Sequence, residues 1–114
     1  MSVETYRREL AAVLDGKDPR ATKTPPGSAV LVFAGEGTVT VQIHPTRVVV
    51  VDGGASLEGL PTVLVRATLA DWLRACESAG SEGVDIYGDA DVLGRIAKLM
   101  DSKRDAVAAR FFQR

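Results

Sequence analysis

Apolar residues recur every three or four positions at the start of the chain, the spacing of one face of an α-helix. This stripe predicts an amphipathic first helix of about 12 residues, near the average helix length. Asp15 and Gly16 end it, because glycine readily adopts the left-handed conformation at a helix C-terminus. Residues 17–28 are polar with three prolines and are predicted to form a loop. The helical stripe consists of Val3, Tyr6, Leu10, Val13 and Leu14.

The pattern then changes to the two-residue period of β-strands. Residues 29–34 are a continuous apolar run, residues 38–44 alternate between branched aliphatic and polar side chains, and residues 47–51 are rich in valine. The connections between them are short, which predicts a three-stranded antiparallel meander. The alternation predicts one buried face and one solvated face for the middle strand. The solvated face would carry Thr38, Thr40, Gln42 and His44.

The second half of the chain alternates between strand and helix signals. A fourth strand is predicted at residues 62–66, followed by a helix with Thr68 as its N-cap and Asp71 three residues later. That helix is predicted to stop near Gly80. Because a helix joins them, strands four and five are predicted to be parallel neighbours. The apolar stripe of the connecting helix is Leu69, Trp72, Leu73 and Cys76.

The fifth strand places Val84 and Ile86 on one face and ends at Gly88. Asp89 or Asp91 can cap the helix that follows, because a short carboxylate accepts the unpaired N–H groups of a first turn. The stripe of this helix is Val92, Leu93, Ile96, Leu99 and Met100. A last helix is predicted at 102–114.

These elements predict a single α+β domain over residues 1–114. Its five-stranded mixed sheet would combine the three-strand antiparallel meander with two strands joined by a crossover helix, and helices would pack on the sheet.

Composition narrows the class of protein. With 46% hydrophobic and 25% charged residues, the chain can bury a core without disulfides. A net charge of −1 gives no support to nucleic-acid binding. The lone Cys76 excludes an internal disulfide and a multi-cysteine metal site. No apolar run approaches the roughly 20 residues of a membrane span, and residues 1–10 are charged where a signal peptide is apolar. A cytoplasmic protein is therefore expected.

The polar residues offer little catalytic chemistry. His44, the one histidine, precedes a proline at a strand end and is interpreted as a solvated strand-edge residue without triad partners. Asp89 and Asp91 could form an acid–base pair, but their position at a helix start favours capping. The glycines at 35, 37, 53 and 54 lack the spacing of a phosphate-binding loop and are interpreted as turns. Cys76 is expected to be an inert core thiol. No catalytic residue, metal site or cofactor is predicted.

Two segments carry a family resemblance. TVLVRATLADWLRAC is a short strand running into a helix that opens with a threonine near an acidic residue, and VDIYGDADVLGRIAKLM is a strand ending in Gly-Asp before a helix rich in leucine and lysine. This order resembles the C-terminal half of the sterol carrier protein type 2 lipid-binding domain. The element order of the whole chain is similar to the family's α+β fold. The connection at 77–83 has seven residues, which is closer to the short bacterial relatives that assist ubiquinone synthesis.

The resemblance implies non-catalytic binding of an apolar ligand, such as a lipid, sterol or isoprenoid tail, in a cavity between sheet and helices. From the residues alone, a filled core is the default for any one of these side chains, because protein interiors are close-packed. The competing hypothesis is thus a structural or protein–protein interaction domain with the same fold and a filled core. The predicted cavity residues are Val41, Ile43, Trp72, Ile86, Leu93, Ile96, Met100 and Phe111.

The end of the chain is basic. From Arg95 to Arg114 there are six basic and two acidic residues, with Phe111 and Phe112 among them. This charge suits an anionic membrane surface or an acidic protein partner. A solvated helix whose two phenylalanines pack on the domain is the alternative.

Overall fold

The computed structural model, which describes residues 1–77 and 82–100, has three α-helices and five strands within those ranges. It confirms an α+β fold with a five-stranded mixed sheet. The helices are α1 (Val3–Leu14), α2 (Leu69–Glu77) and α3 (Asp91–Leu99), and the strands are β1 (Gly27–Phe33), β2 (Gly37–Ile43), β3 (Val48–Asp52), β4 (Thr62–Ala67) and β5 (Asp85–Gly88). The predicted C-terminal helix at 102–114 and the predicted end of α2 near Gly80 lie outside the described residues.

The loop predicted at 17–28 is shorter than the sequence indicated. Strand β1 begins at Gly27, two residues before the predicted start, so Gly27 and Ser28 belong to the sheet. Residues Pro19–Thr22 form a 3₁₀ turn, and the side chain of Asp18 caps it by accepting the N–H of Arg20. The short polar side chain and the following proline favour such a turn.

The strands lie in the order β3-β2-β1-β4-β5. Pairs β1–β2 and β2–β3 are antiparallel, which confirms the meander, and β1 and β4 are parallel. Strands β4 and β5 are antiparallel, so the prediction that they are parallel was wrong. The reason lies in the path of α2: Gly83 lies against the side chain of Asp71 in the first turn of this helix. The chain thus returns to the end of β4 from which it left, instead of crossing to the other end.

All three helices pack on one side of the sheet, here called the helix face. The ring of Tyr6 in α1 meets Phe33 edge-on at 5.9 Å between centroids. A Cβ at Gly27 would lie 3.2 Å from Val92 of α3. The alternation of strand side chains therefore gives one apolar layer under the helices. Its fully or nearly buried members on the strands are Ala29, Leu31, Phe33, Val39, Val41, Ile43, Val48, Val50, Val63, Val65 and Ala67.

The opposite side, here called the open face, is crossed by the connection between β3 and β4. Thr40 was predicted to be solvated but is completely buried, because this connection lies over it. Its hydroxyl donates to the carbonyl oxygen of Gly53 at 2.6 Å and accepts the N–H of Ala55 at 3.1 Å. Ser28 is equally buried and accepts the N–H of Leu57. Two polar strand residues thus fix a loop to the sheet.

The outer edge of β3, on the side away from β2, is covered by the residues that follow α1. The N–H of Gly16 donates to the carbonyl oxygen of Val48, and the N–H of Val48 donates to the carbonyl oxygen of Lys17. The carboxylate of Asp15 accepts the N–H of Val50. Because an unpaired strand edge is a template for aggregation, this short segment protects the sheet on that side.

Helix α2 begins with the side-chain cap that the sequence indicated: the hydroxyl of Thr68 accepts the N–H of Asp71. Glu36 of the β1–β2 turn also accepts the N–H of Leu69. At α3 the N-cap position is Ala90, so neither Asp89 nor Asp91 occupies it, but the carboxylate of Asp89 accepts the N–H of Asp91. Gly88 precedes it with a φ of +85°, where a Cβ would lie 2.5 Å from the carbonyl oxygen of Thr62. Only glycine fits this turn without strain.

Candidate functional site

The predicted cavity residues lie in one continuous apolar cluster between the sheet and the helices. Val41, Ile43, Trp72, Leu93, Ile96 and Met100 are all buried members of it. Ile86 packs against the cluster but is only half-buried, and Phe111 lies outside the described residues. The structure thus brings seven of the eight predicted residues together on the helix face.

Two buried aromatic residues join α1 to α2 at the centre of this cluster. The indole N–H of Trp72 donates to the hydroxyl of Tyr6 at 2.8 Å. Burying an indole N–H is costly unless it finds an acceptor, so this hydrogen bond fixes the orientation of Trp72. The sequence placed Tyr6 on an apolar stripe but gave no sign that its hydroxyl serves Trp72, because the two are 66 residues apart.

Some of the apolar side chains that border the core reach solvent. Leu73, Val84 and Ile86 pack against the core but are only partly buried. We call these three residues the apolar rim. The sequence assigned Ile86 to the site but not Leu73 or Val84. Their apolar character at a helix flank and a strand entrance was visible, but their partial burial was decided by the tertiary structure.

The polar residues considered for catalysis are engaged in structural contacts. The Nε2 atom of His44 is 2.9 Å from the side-chain oxygen of Gln42, and the imidazole is half-buried at the end of β2. Cys76 is buried in the core. The carboxylate of Asp89 accepts the N–H of Asp91 at the start of α3. Within the described residues there is no group of three His, Cys, Asp or Glu side chains placed to hold a metal ion.

Two exposed ion pairs shift the pKa values of their carboxylates. Hydrogen bonding to the guanidinium of Arg7 lowers the pKa of Glu4 to about 2. The Arg20 side chain lowers the pKa of Asp18 in the same way. Both pairs lie on the surface, where water and salt screen them. The first pair joins two side chains within α1, and the second lies at the 3₁₀ turn.

Among the described residues, two clefts lined in part by charged side chains lie outside the core. One, of about 310 Å³, is at the carboxyl end of β4 and is lined by Arg66, Thr68, Asp71 and Asp85, among others. The other, of about 350 Å³, lies between α3 and Pro25. Arg95 and Lys98 line it on the helix side, with Asp91 at one end.

A scan against protein-family models and searches of curated proteins and of solved structures found no match to this chain. The resemblance to the sterol carrier protein type 2 domain therefore stays a prediction. None of the helices in the described part of the chain combines the length and apolar character needed to span a bilayer.

Proposed function

We propose that this domain binds the apolar tail of a lipid, sterol or isoprenoid between its sheet and helices, as a carrier or lipid-presenting module of the sterol carrier type. The observation that carries this proposal is the apolar rim. Leu73, Val84 and Ile86 connect the buried cluster to the surface. A continuous apolar path from solvent to core is what an apolar ligand needs in order to enter.

The energy for binding comes from desolvation. Each methylene that leaves water contributes about 0.8 kcal/mol, so a tail of a few carbons can offset the cost of moving core side chains. We expect α2 and α3 to move apart as the tail passes Ile86 and reaches Leu93, Ile96 and Met100. Leucine and methionine suit such a site, because methionine in particular adapts its shape to irregular gaps.

The proposed role involves no bond making or breaking and no cofactor. His44 and Cys76 are the usual candidates for a nucleophile or base. The imidazole of His44 contacts the amide oxygen of Gln42 and not the carboxylate of a hydrolytic triad, and Cys76 is buried in the core. A chain with one buried cysteine also fits the reducing conditions of the cytoplasm.

The emission of Trp72 tests the proposal, because it is the only tryptophan in the chain. Titration with a fatty-acyl or isoprenoid probe is expected to shift or quench this emission saturably. Ile86→Glu should weaken binding at least tenfold, because a carboxylate at the rim must be desolvated when the tail enters. Tyr87→Glu is the matched control: it puts the same group on the same strand but on the open face, and should leave tail binding unchanged.

Two results would contradict the proposal. One is the absence of a saturable signal with acyl, isoprenoid and sterol probes. The other is equal weakening by Ile86→Glu and Tyr87→Glu while urea melts show both variants folded. As a further check, Ile96→Trp should block binding at a cost of about 1–3 kcal/mol in stability, since a core that opens for a ligand tolerates added volume better than a closed one.

The competing function, a protein–protein interaction domain with a filled core, is favoured by a different feature. On the open face Tyr87 is 52% exposed and neighbours Leu64 in the β4–β5 pairing. Val32 lies on the same face and is also only half-buried. This apolar corner is a candidate contact for a protein partner. If Tyr87→Glu abolished a partner interaction while no lipid bound, this second function would replace the first.

A further inference from the structure

Charge is unevenly distributed over the described residues. Residues 17–26 together with α3 carry five basic and two acidic side chains, while the other described residues carry five basic and eleven acidic ones. The chain as a whole has a net charge of only −1, so composition alone hides this separation. We call the surface formed by residues 17–26 and α3 the basic face.

The two parts of the basic face are joined directly. The ammonium group of Lys17 donates to the carbonyl oxygen of Leu99 at 2.6 Å. The guanidinium of Arg95 donates to the carbonyl oxygen of Pro26 at 2.7 Å. Between them lies the cleft of about 350 Å³ that Pro25, Gly94 and Lys98 help to line. These contacts hold residues separated by about 70–80 positions on one surface.

Most of the cationic charge on this face is not neutralised. Lys23 and Lys98 are exposed, and among the described residues no hydrogen bond or ion pair involves the ammonium group of either. Lys17 and Arg95 each donate to a neutral carbonyl and therefore keep their charge. Arg20 is paired with Asp18, and Asp91 stands at the edge of the cleft, so three positive charges remain in excess.

We propose that the basic face docks the domain on an anionic phospholipid bilayer. This inference rests on the proposed function, because a bilayer is the place from which an apolar tail is taken. The same helix serves both purposes: α3 presents Leu93 and Ile96 to the core and Lys98 to the outside. The basic face contains no aromatic residue on which nucleic-acid bases could stack.

The charge of the sequence that follows α3 also favours an anionic bilayer. Residues 101–114 lie outside the described residues, but their sequence contains four basic and two acidic side chains. A lysine or arginine near an anionic surface strengthens membrane binding by about fivefold. We therefore expect the basic face to bind measurably by itself, without a contribution from residues 101–114.

The test uses flotation of the full chain with lipid vesicles at about 0.1 M salt. Binding should be strong to phosphatidylcholine vesicles containing about 30 mol% phosphatidylserine, weak to phosphatidylcholine alone, and lost at about 0.5 M salt. Lys23→Gln with Lys98→Gln should lower the partition coefficient about 20- to 30-fold. Arg47→Gln with Arg66→Gln is the matched control, since it removes two exposed charges elsewhere and should leave binding unchanged.

Three outcomes would overturn the proposal. Unchanged binding in the lysine double variant would assign any membrane contact to another part of the chain. Equal loss in both double variants would show that only net charge matters. Binding to immobilised polyglutamate but not to anionic vesicles would indicate an acidic protein partner. Intact vesicle binding without a Trp72 response to tail probes would instead refute the proposed function and leave the docking surface standing.

Discussion

The two faces of the sheet are built from the same five strands but stabilised in different ways. On the helix face, strand after strand presents valine, isoleucine, leucine or phenylalanine to the helices. On the open face, Ser28 and Thr40 are completely buried although both are polar. The first face depends on removing apolar surface from water, and the second depends on hydrogen bonds to a loop.

This difference follows from what covers each face. A helix satisfies its own backbone, so it can cover a layer of aliphatic side chains. The connection between β3 and β4 has no internal ladder, and its buried N–H and C=O groups must find partners in the sheet. The hydroxyls of Thr40 and Ser28 supply them. Polar strand residues here mark a covering loop rather than contact with solvent.

The comparison also indicates where function can lie. The loop leaves Leu64 and Tyr87 of the open face partly or largely exposed, and the helices leave Ile86 half-buried on the other side. Ile86 and Tyr87 are adjacent residues of β5 that point to opposite faces. Substitutions at these two neighbouring positions therefore distinguish the lipid-binding hypothesis from the partner-binding hypothesis.

The largest expected difference is between two leucines on adjacent strands. Leu31 is fully buried on the helix face, and Leu64 is half-buried on the open face. Leu31→Ala should reduce the free energy of unfolding by about 2–5 kcal/mol, because it removes buried methylenes and leaves a cavity. Leu64→Ala should cost about 1 kcal/mol, because less surface is withdrawn from water. Urea unfolding measures both, and equal costs would show that the faces contribute alike.

A smaller effect is expected from breaking the hydrogen bonds under the loop. Thr40→Val keeps the shape of the side chain but leaves the N–H of Ala55 and the carbonyl of Gly53 without their partner. The cost should be about 1–3 kcal/mol, the penalty of leaving buried polar groups unpaired. Amide hydrogen exchange at residues 53–57 should accelerate as well.

Thr38→Val is the control for this change. Thr38 lies on the same strand and face but is only half-buried, and its contact with the loop is through its backbone carbonyl, which accepts the N–H of Gly53. It should change stability by less than about 0.5 kcal/mol. If Thr40→Val were as mild as Thr38→Val, the loop would be held by something other than the hydroxyl.

The smallest effect is expected at the turn that takes the chain from β5 to the helix side. Asp89→Ala removes the carboxylate that accepts the N–H of Asp91 and should cost about 0.5–2 kcal/mol. Asp91→Ala should cost less, because Asp91 is exposed in the first turn and accepts no cap hydrogen bond. Urea melts of the two variants decide which carboxylate stabilises the start of α3, and the reverse order would assign that role to Asp91.

The spacing of apolar residues determined much of the fold. The stripes of α1 and α3, the meander and the buried side of β2 were all predicted from it, since periods of 3.6 and 2 directly state which side chains share a face. Thr68 was predicted as a cap because a threonine hydroxyl reaches the N–H three residues later. Six of the eight predicted cavity residues are buried in the core for the same reason.

Strand direction and the pairing of distant groups were decided only by the tertiary structure. The spacing of apolar residues indicates which side chains share a face of a strand, but not in which direction the strand runs. It therefore could not show that the chain returns past Asp71 and that β5 runs antiparallel to β4. The alternation around Thr40 predicted a solvated face. The sequence pattern is the same whether the threonine hydroxyl hydrogen-bonds to water or to a covering loop. The basic face joins Lys17 to Leu99 across 82 positions, a contact that exists only once the sheet has brought α3 beside the residues after α1.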